Sequence, residues 1–266
     1  MDWLNQLDLP RFLLFTLVFT RVSGLLMTAP IYGTNEVPLQ VRALLAFALA
    51  VLITPTQWHV PIEHPGSILN YLVFVGSELL IGLSLGMGIV IFFSGIQLAG
   101  QMIGRIGGLL LADVFDPSVG ASIPLFSRLL MLVTLAVFVC TGGHRIVMAG
   151  LLDTFETIPP GSGAVPTSIA ETFVVLLTQS FVLGICVSAP VITALLLATL
   201  VLGLISRTLP QLNILAIGFG MNAMLTFGAL ALSLGTAVWV FQDQLEPALE
   251  ILLEALHAPL RSQWIT

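Results

Sequence analysis

The chain has 266 residues, of which 57% belong to the AVILMFWYC set and only 8% are charged. A soluble domain is ~25% charged, so eight arginines, no lysine and 14 acidic residues at a mean hydropathy of +1.07 cannot cover its surface with solvated groups. That excludes a free soluble domain and leaves a membrane protein, or a subunit almost wholly enclosed by other apolar subunits.

The chain opens with Asp2 and Asp8 where a signal peptide would carry positive charge, so no cleaved signal is expected. The first apolar run, 12–32, holds one charge, Arg21. The next, 43–62, is uncharged but cut by Pro55 and Pro61. A long run over 68–104 is interrupted only by Glu78. Asp116-Pro117 and Gly120 then mark turns within 112–124. After Arg128 comes a shorter apolar run, 129–143, and then 154–168, with too many prolines and glycines for a helix. Runs 172–206 and 208–242 carry no charge, and each exceeds the ~20 residues that a bilayer core needs. Pro190 removes a backbone bond within the first of them and predicts a kink. In the tail, 243–266, Leu245, Leu249, Leu252, Leu253 and Leu256 share one helical face and Glu246, Glu250 and Glu254 another. Pro247 suits the first turn of that helix and Pro259 its end. An acidic helix of this kind is expected to dock on protein rather than on anionic lipid. The fold class is all-α, with about six long apolar helices.

Glycine pairs Gly82/Gly86, Gly100/Gly104 and Gly104/Gly108 have the small-xxx-small spacing that lets helices approach closely where the hydrophobic effect offers no driving force. Arg21 and Glu78 lie within apolar runs. An unpaired charge at the bilayer centre costs at least ~2.5–3.5 kcal/mol, so each must face protein, a partner charge or water. Either an ion path or a packing pair satisfies that. Cys140 and Cys186 read as buried free thiols. The four histidines are scattered, and no HExxH, G-x-S-x-G or GK[ST] loop is present. Neither a metal site, a cofactor nor an enzymatic activity is expected. The net charge of −6, without a basic run, argues against a nucleic-acid partner.

Several blocks together carry a resemblance. They are Arg21-x-x-Gly24 with Pro30, Pro38 and Arg42; AGQMIGRIGGLLLADVFDPSVGASIPLFSRLL; Gly143-His144; Phe155; Ile158-Pro159-Pro160-Gly161; and ISRTLPQLNI. In order and spacing the chain resembles the FliR export-gate family of the flagellar type III secretion apparatus, which has an injectisome counterpart. Where that family often carries a proline and a lysine, this chain has Gly220 and Asn222.

The resemblance implies a non-enzymatic core subunit of an export gate in the bacterial inner membrane, at the flagellar basal body. It implies a FliP-like helical part over 1–153, a linker over 154–168, a FliQ-like hairpin over 169–242 and the acidic tail over 243–266. A pore plug would occupy about 106–123, with Gly107, Gly108, Leu109, Leu110, Leu111, Asp113, Phe115, Asp116, Pro117 and Gly120. The loop holding Arg207, Pro210, Gln211 and Asn213 would face a switch subunit. Implied partners are FliP-like and FliQ-like gate subunits, an FlhB-like switch subunit, an FlhA-like export component, exported unfolded polypeptides and membrane lipid. Gly82, Gly86, Gly100, Gly104 and Pro190 would shape helix packing, with Arg21 and Glu78 as intramembrane charges. The alternative is a stand-alone multi-pass transporter or channel.

Overall fold

The computed structural model describes residues 9–30, 37–60, 66–107, 125–163, 168–208 and 214–261, and every regular element among them is helical. In chain order these are α1 (Leu9–Thr28), α2 (Leu39–Ile53), a 3-10 turn (Thr54–Gln57), α3 (Ile68–Ile106), α4 (Leu125–Cys140), α5 (Gly143–Thr157), α6 (Ile169–Thr208) and α7 (Ile214–Arg261). Proline and glycine set the ends. Pro55 turns the end of α2 into a 3-10 turn, and Gly142, at φ +80°, breaks the chain between α4 and α5 in the left-handed region that favours glycine. At ~1.5 Å per residue, α3 with 39 residues, α6 with 40 and α7 with 48 all exceed a ~30 Å bilayer core. Among the described residues five helices are long and apolar enough to cross a membrane, or six if α4 and α5 form one bent span.

The described chain forms two compact units, one of Met1–Ile91, Gly143–Leu176 and Ala248–Thr266, the other of Phe92–Gly142 and Leu177–Pro247. In the first, α1 packs on α2 and crosses α3 at glycines on both helices. A Cβ on Gly24 would stand 2.9 Å from the Leu79 carbonyl oxygen, one on Gly82 would overlap the Arg21 carbonyl, and one on Gly86 would overlap Thr28. The end of α7 closes this unit. Leu249, Leu252 and Leu256 are buried, Leu252 lies over Gly88, and Leu253 lies over Gly150. Ser168 donates a hydrogen bond to the Ala255 carbonyl, 2.9 Å away, holding the start of α6 on the same segment.

The second unit is centred on Phe92, Phe93, Phe138 and Phe241, whose neighbouring rings lie 5.4–6.3 Å apart, mostly edge to face. Here α3 crosses α6 where Gly95 meets the Ser180 carbonyl and Gly184 meets the Gly95 carbonyl. It meets α4 where Gly100 leaves room for Ser127, whose hydroxyl donates to the Gln97 carbonyl at 3.0 Å.

Three expectations are corrected. Cys140 and Cys186 are free but exposed. An apolar run implies burial only when the surroundings are water, and these helices turn apolar side chains outward. Pro247 is not in a first turn but inside the continuous α7, which runs through 243 without a break and also passes Pro259. Residues 154–157, expected to be non-helical, are the last turn of α5, so the breakers act only from Ile158 onward. Pro190 lies within a continuous α6.

Gly82→Ala should cost ~1–3 kcal/mol by overpacking against backbone. Gly76→Ala, where nothing lies within 4 Å of an added Cβ, should be neutral or stabilising. Protease resistance of the membrane-inserted variants measures the difference, and equal resistance would contradict the close crossing.

Candidate functional site

Arg21 projects from the middle of α1 and Glu78 from α3, and both are fully buried. The Arg21 Nε donates to Glu78 Oε2 at 2.6 Å. Nη1 donates to the Thr154 carbonyl at 2.8 Å and to its hydroxyl at 3.2 Å, while Nη2 donates to the Ile158 carbonyl at 2.9 Å. The Thr154 hydroxyl in turn donates a hydrogen bond to the Leu151 carbonyl at 2.7 Å. The Phe155 ring lies 4.3 Å from the guanidinium carbon, a cation–π contact. The other carboxylate oxygen, Oε1, accepts the backbone N–H of Gly161 at 3.0 Å. Gly161 stands at φ +84°, turning the chain after Pro159-Pro160 so that its N–H meets the carboxylate. Gly82, one turn beyond Glu78, lets α3 come close enough for the pair to form.

Charge, hydrogen bonds and packing therefore converge from α1, α3, α5 and the turn at 158–161. Both carboxylate oxygens and all three guanidinium nitrogens are engaged. This is a clamp. A group that moved ions or protons would face water, whereas both of these side chains are fully buried and each of their polar atoms has a protein partner. Such a pair adds little over well-packed apolar side chains, but breaking it leaves an uncompensated buried charge, at ~3–5 kcal/mol.

The remaining sequence-selected residues fall elsewhere. Gly107 ends α3, buried, with its N–H on the Ile103 carbonyl at 2.8 Å and room for no Cβ beside Thr226 Oγ1. Gly108, Leu109, Leu110, Leu111, Asp113, Phe115, Asp116, Pro117 and Gly120 lie outside the described residues, as do Pro210, Gln211 and Asn213. Arg207 is exposed in the last turn of α6. Gly104 is buried within α3, and Pro190 is exposed on α6.

Sequence reasoning picked out the two charges but not their partners Thr154, the Ile158 carbonyl and the Gly161 N–H. The available signal was the Pro-Pro-Gly turn, which aims backbone groups from outside any helix. A cleft of about 630 Å³ opens behind this clamp, lined by Gln57, His59, Phe155 and Glu156 among others. Among the described residues no group of three His, Cys, Asp or Glu side chains is placed to hold a metal ion.

Away from the clamp, α6 and α7 turn large apolar side chains outward. Leu197, Leu200 and Leu204 on α6 are 60–68% exposed, and Met224, Leu232 and Trp239 on α7 are 65–89% exposed. Exposed apolar side chains in such number mark contact with lipid or with another protein.

The sequence profile of the bacterial export proteins, family 1, matches residues 12–248. Flagellar biosynthetic protein FliR of Bacillus subtilis is 31% identical over 220 residues, covering 80% of this chain and 83% of the relative. Its namesake in Aquifex aeolicus is 30% identical over 218 residues, covering 82% and 84%. The one in Escherichia coli K12 is 30% identical over 219 residues, covering 82% and 81%.

Arg21→Met and Glu78→Met should each destabilise by ~3–5 kcal/mol, and the double variant by clearly less than their sum. Accumulation and protease resistance in membranes report this. Additive losses would mean that the two charges do not act as a pair.

Proposed function

The chain belongs to the bacterial export proteins of family 1, the family of flagellar biosynthetic protein FliR, and on that premise we propose that it is a core subunit of the type III export gate. Membership makes it a structural component of flagellar protein export, with several membrane-grade helices. In our reading it helps form, and plugs, the channel through which unfolded flagellar proteins leave the cell. It sits in the bacterial inner membrane beside FliP-like and FliQ-like subunits, 1–153 serving as the FliP-like part and 169–242 as the FliQ-like hairpin. The FlhB-like and FlhA-like components meet it from the cytosolic side, the former at the loop holding Arg207, Pro210, Gln211 and Asn213.

The observation that carries this reading is the uncovered apolar surface of α6 and α7, with Leu232 at 89% and Met224 at 78% exposure. A subunit that completes its surface with lipid and with neighbours is built this way. A stand-alone transporter is favoured by ionisable groups on broken helices along a path. Here Arg21 and Glu78 pair with each other and with groups of the turn at 154–161.

For the plug, about 106–123, support comes from its base. Gly107 is held by the Ile103 carbonyl and packed beside Thr226. Glycines at 107, 108 and 120 let a segment enter a narrow space beside other backbones, and Leu109-Leu110-Leu111 supplies an apolar seal against water and ions. Deleting 107–119 should leave a co-expressed gate assembled but make the membrane leaky to small solutes. Solute influx into cells or vesicles measures it. An assembled deletion complex as tight as the parent would rule out this segment as the main seal.

A further inference from the structure

The cleft of about 630 Å³ behind the clamp is large enough to take a bound group, and its lining residues all belong to the first compact unit. One wall is Phe155, the ring that holds the Arg21 guanidinium. The facing wall is the 3-10 turn, which is held in place from two sides. The Val60 N–H donates to the Gln57 carbonyl at 3.0 Å, and the Arg11 guanidinium lies 4.9 Å from the centre of the Trp58 ring. Gln57 is only 7% exposed, and its side chain lines the cleft. The Thr56 hydroxyl gives its one proton to the Ile53 carbonyl at 2.7 Å, so toward Gln57 Nε2, 3.3 Å away, it acts as acceptor. That orients the amide. One N–H of Nε2 is left over, and Oε1 receives no donor among the described residues. Unlike the sealed Gln179 oxygen, this one stays open to the cleft. The apolar Leu152 and Trp58 beside it are 48% and 57% exposed, so a neighbour that covers them also takes the water from the amide.

We propose that this cleft docks a polypeptide segment of a neighbouring subunit of the export assembly, its main-chain amide paired with the Gln57 side chain and one of its apolar side chains between Leu152 and Phe155. This rests on the gate-subunit reading above. The chemistry selects the occupant. Gln57 offers a donor and an acceptor on one fixed plane, and another amide answers both together. A lipid tail would leave both unpaired and out of water, which is costly. An anionic headgroup would meet the Glu156 carboxylate, which lines the same cleft and makes no ion pair among the described residues. No three metal-ligating side chains stand together among those residues.

The test uses the tagged full chain in cells carrying the whole export apparatus, with a photo-crosslinking residue at position 60, on the cleft wall. The parent should capture one defined segment of one partner subunit, identified by fragment mass spectrometry. Gln57→Leu, similar in size but without donor or acceptor, should cut that capture about tenfold. Leu152→Trp fills the cleft from an exposed position and should abolish the capture at the parent's protease resistance, so it decides the matter if Gln57→Leu folds poorly. Capture of lipid or another non-protein molecule alone, no capture, or parent-level capture by either folded variant would overturn the proposal. If the parent co-purifies no partner subunit at all, the gate-subunit reading fails, and this inference with it.

Discussion

Charge is so scarce in this chain that water cannot be the medium around most of it. With 8% charged residues, every long helix has to be covered by lipid, by the rest of the chain or by another protein. Inside the first unit the constraint is met by saturation, with Arg21 and Glu78 taking up each other and the backbone groups of 154–161. Elsewhere it is met by glycine. Gly24, Gly82 and Gly86 bring α1 and α3 together, and Gly95 and Gly184 do the same for α3 and α6. Close contact and filled hydrogen bonds stand in for the hydrophobic effect, which is weak between surfaces already out of water.

The clamp has a consequence for the division of labour along the chain. It joins α1, α3 and α5 to the turn at 158–161, and breaking it is costly, so the first unit is suited to be a fixed frame. Movement, where export requires it, falls to segments with fewer buried contacts.

Much of this was legible in the residues. The charge-free runs located the long helices, because a helix in an apolar medium has few ways to carry charge. The two interior charges stood out for the same reason. Their pairing was not legible, since the partners are 57 residues apart and the decisive contacts are backbone groups. The block Ile158-Pro159-Pro160-Gly161, legible as a breaker-rich connection and as part of a family pattern, holds the clamp. Cys140 and Cys186 were misjudged because hydropathy reports the medium a residue prefers, not whether its own chain covers it. Pro247 was misplaced because a long helix with other support tolerates a proline that would end a short one. Function came from the resemblance, and the physical features are consistent with it without naming it.

The central claim is that neighbouring subunits complete this chain's surface. The most direct measurement is the native mass of detergent-extracted particles from cells expressing the chain alone and together with the remaining export components. The account predicts aggregation or loss of the chain alone, and a defined particle of several different subunits when the components are expressed together. A monodisperse monomer, equally stable in either background and never joined by another protein, would contradict it.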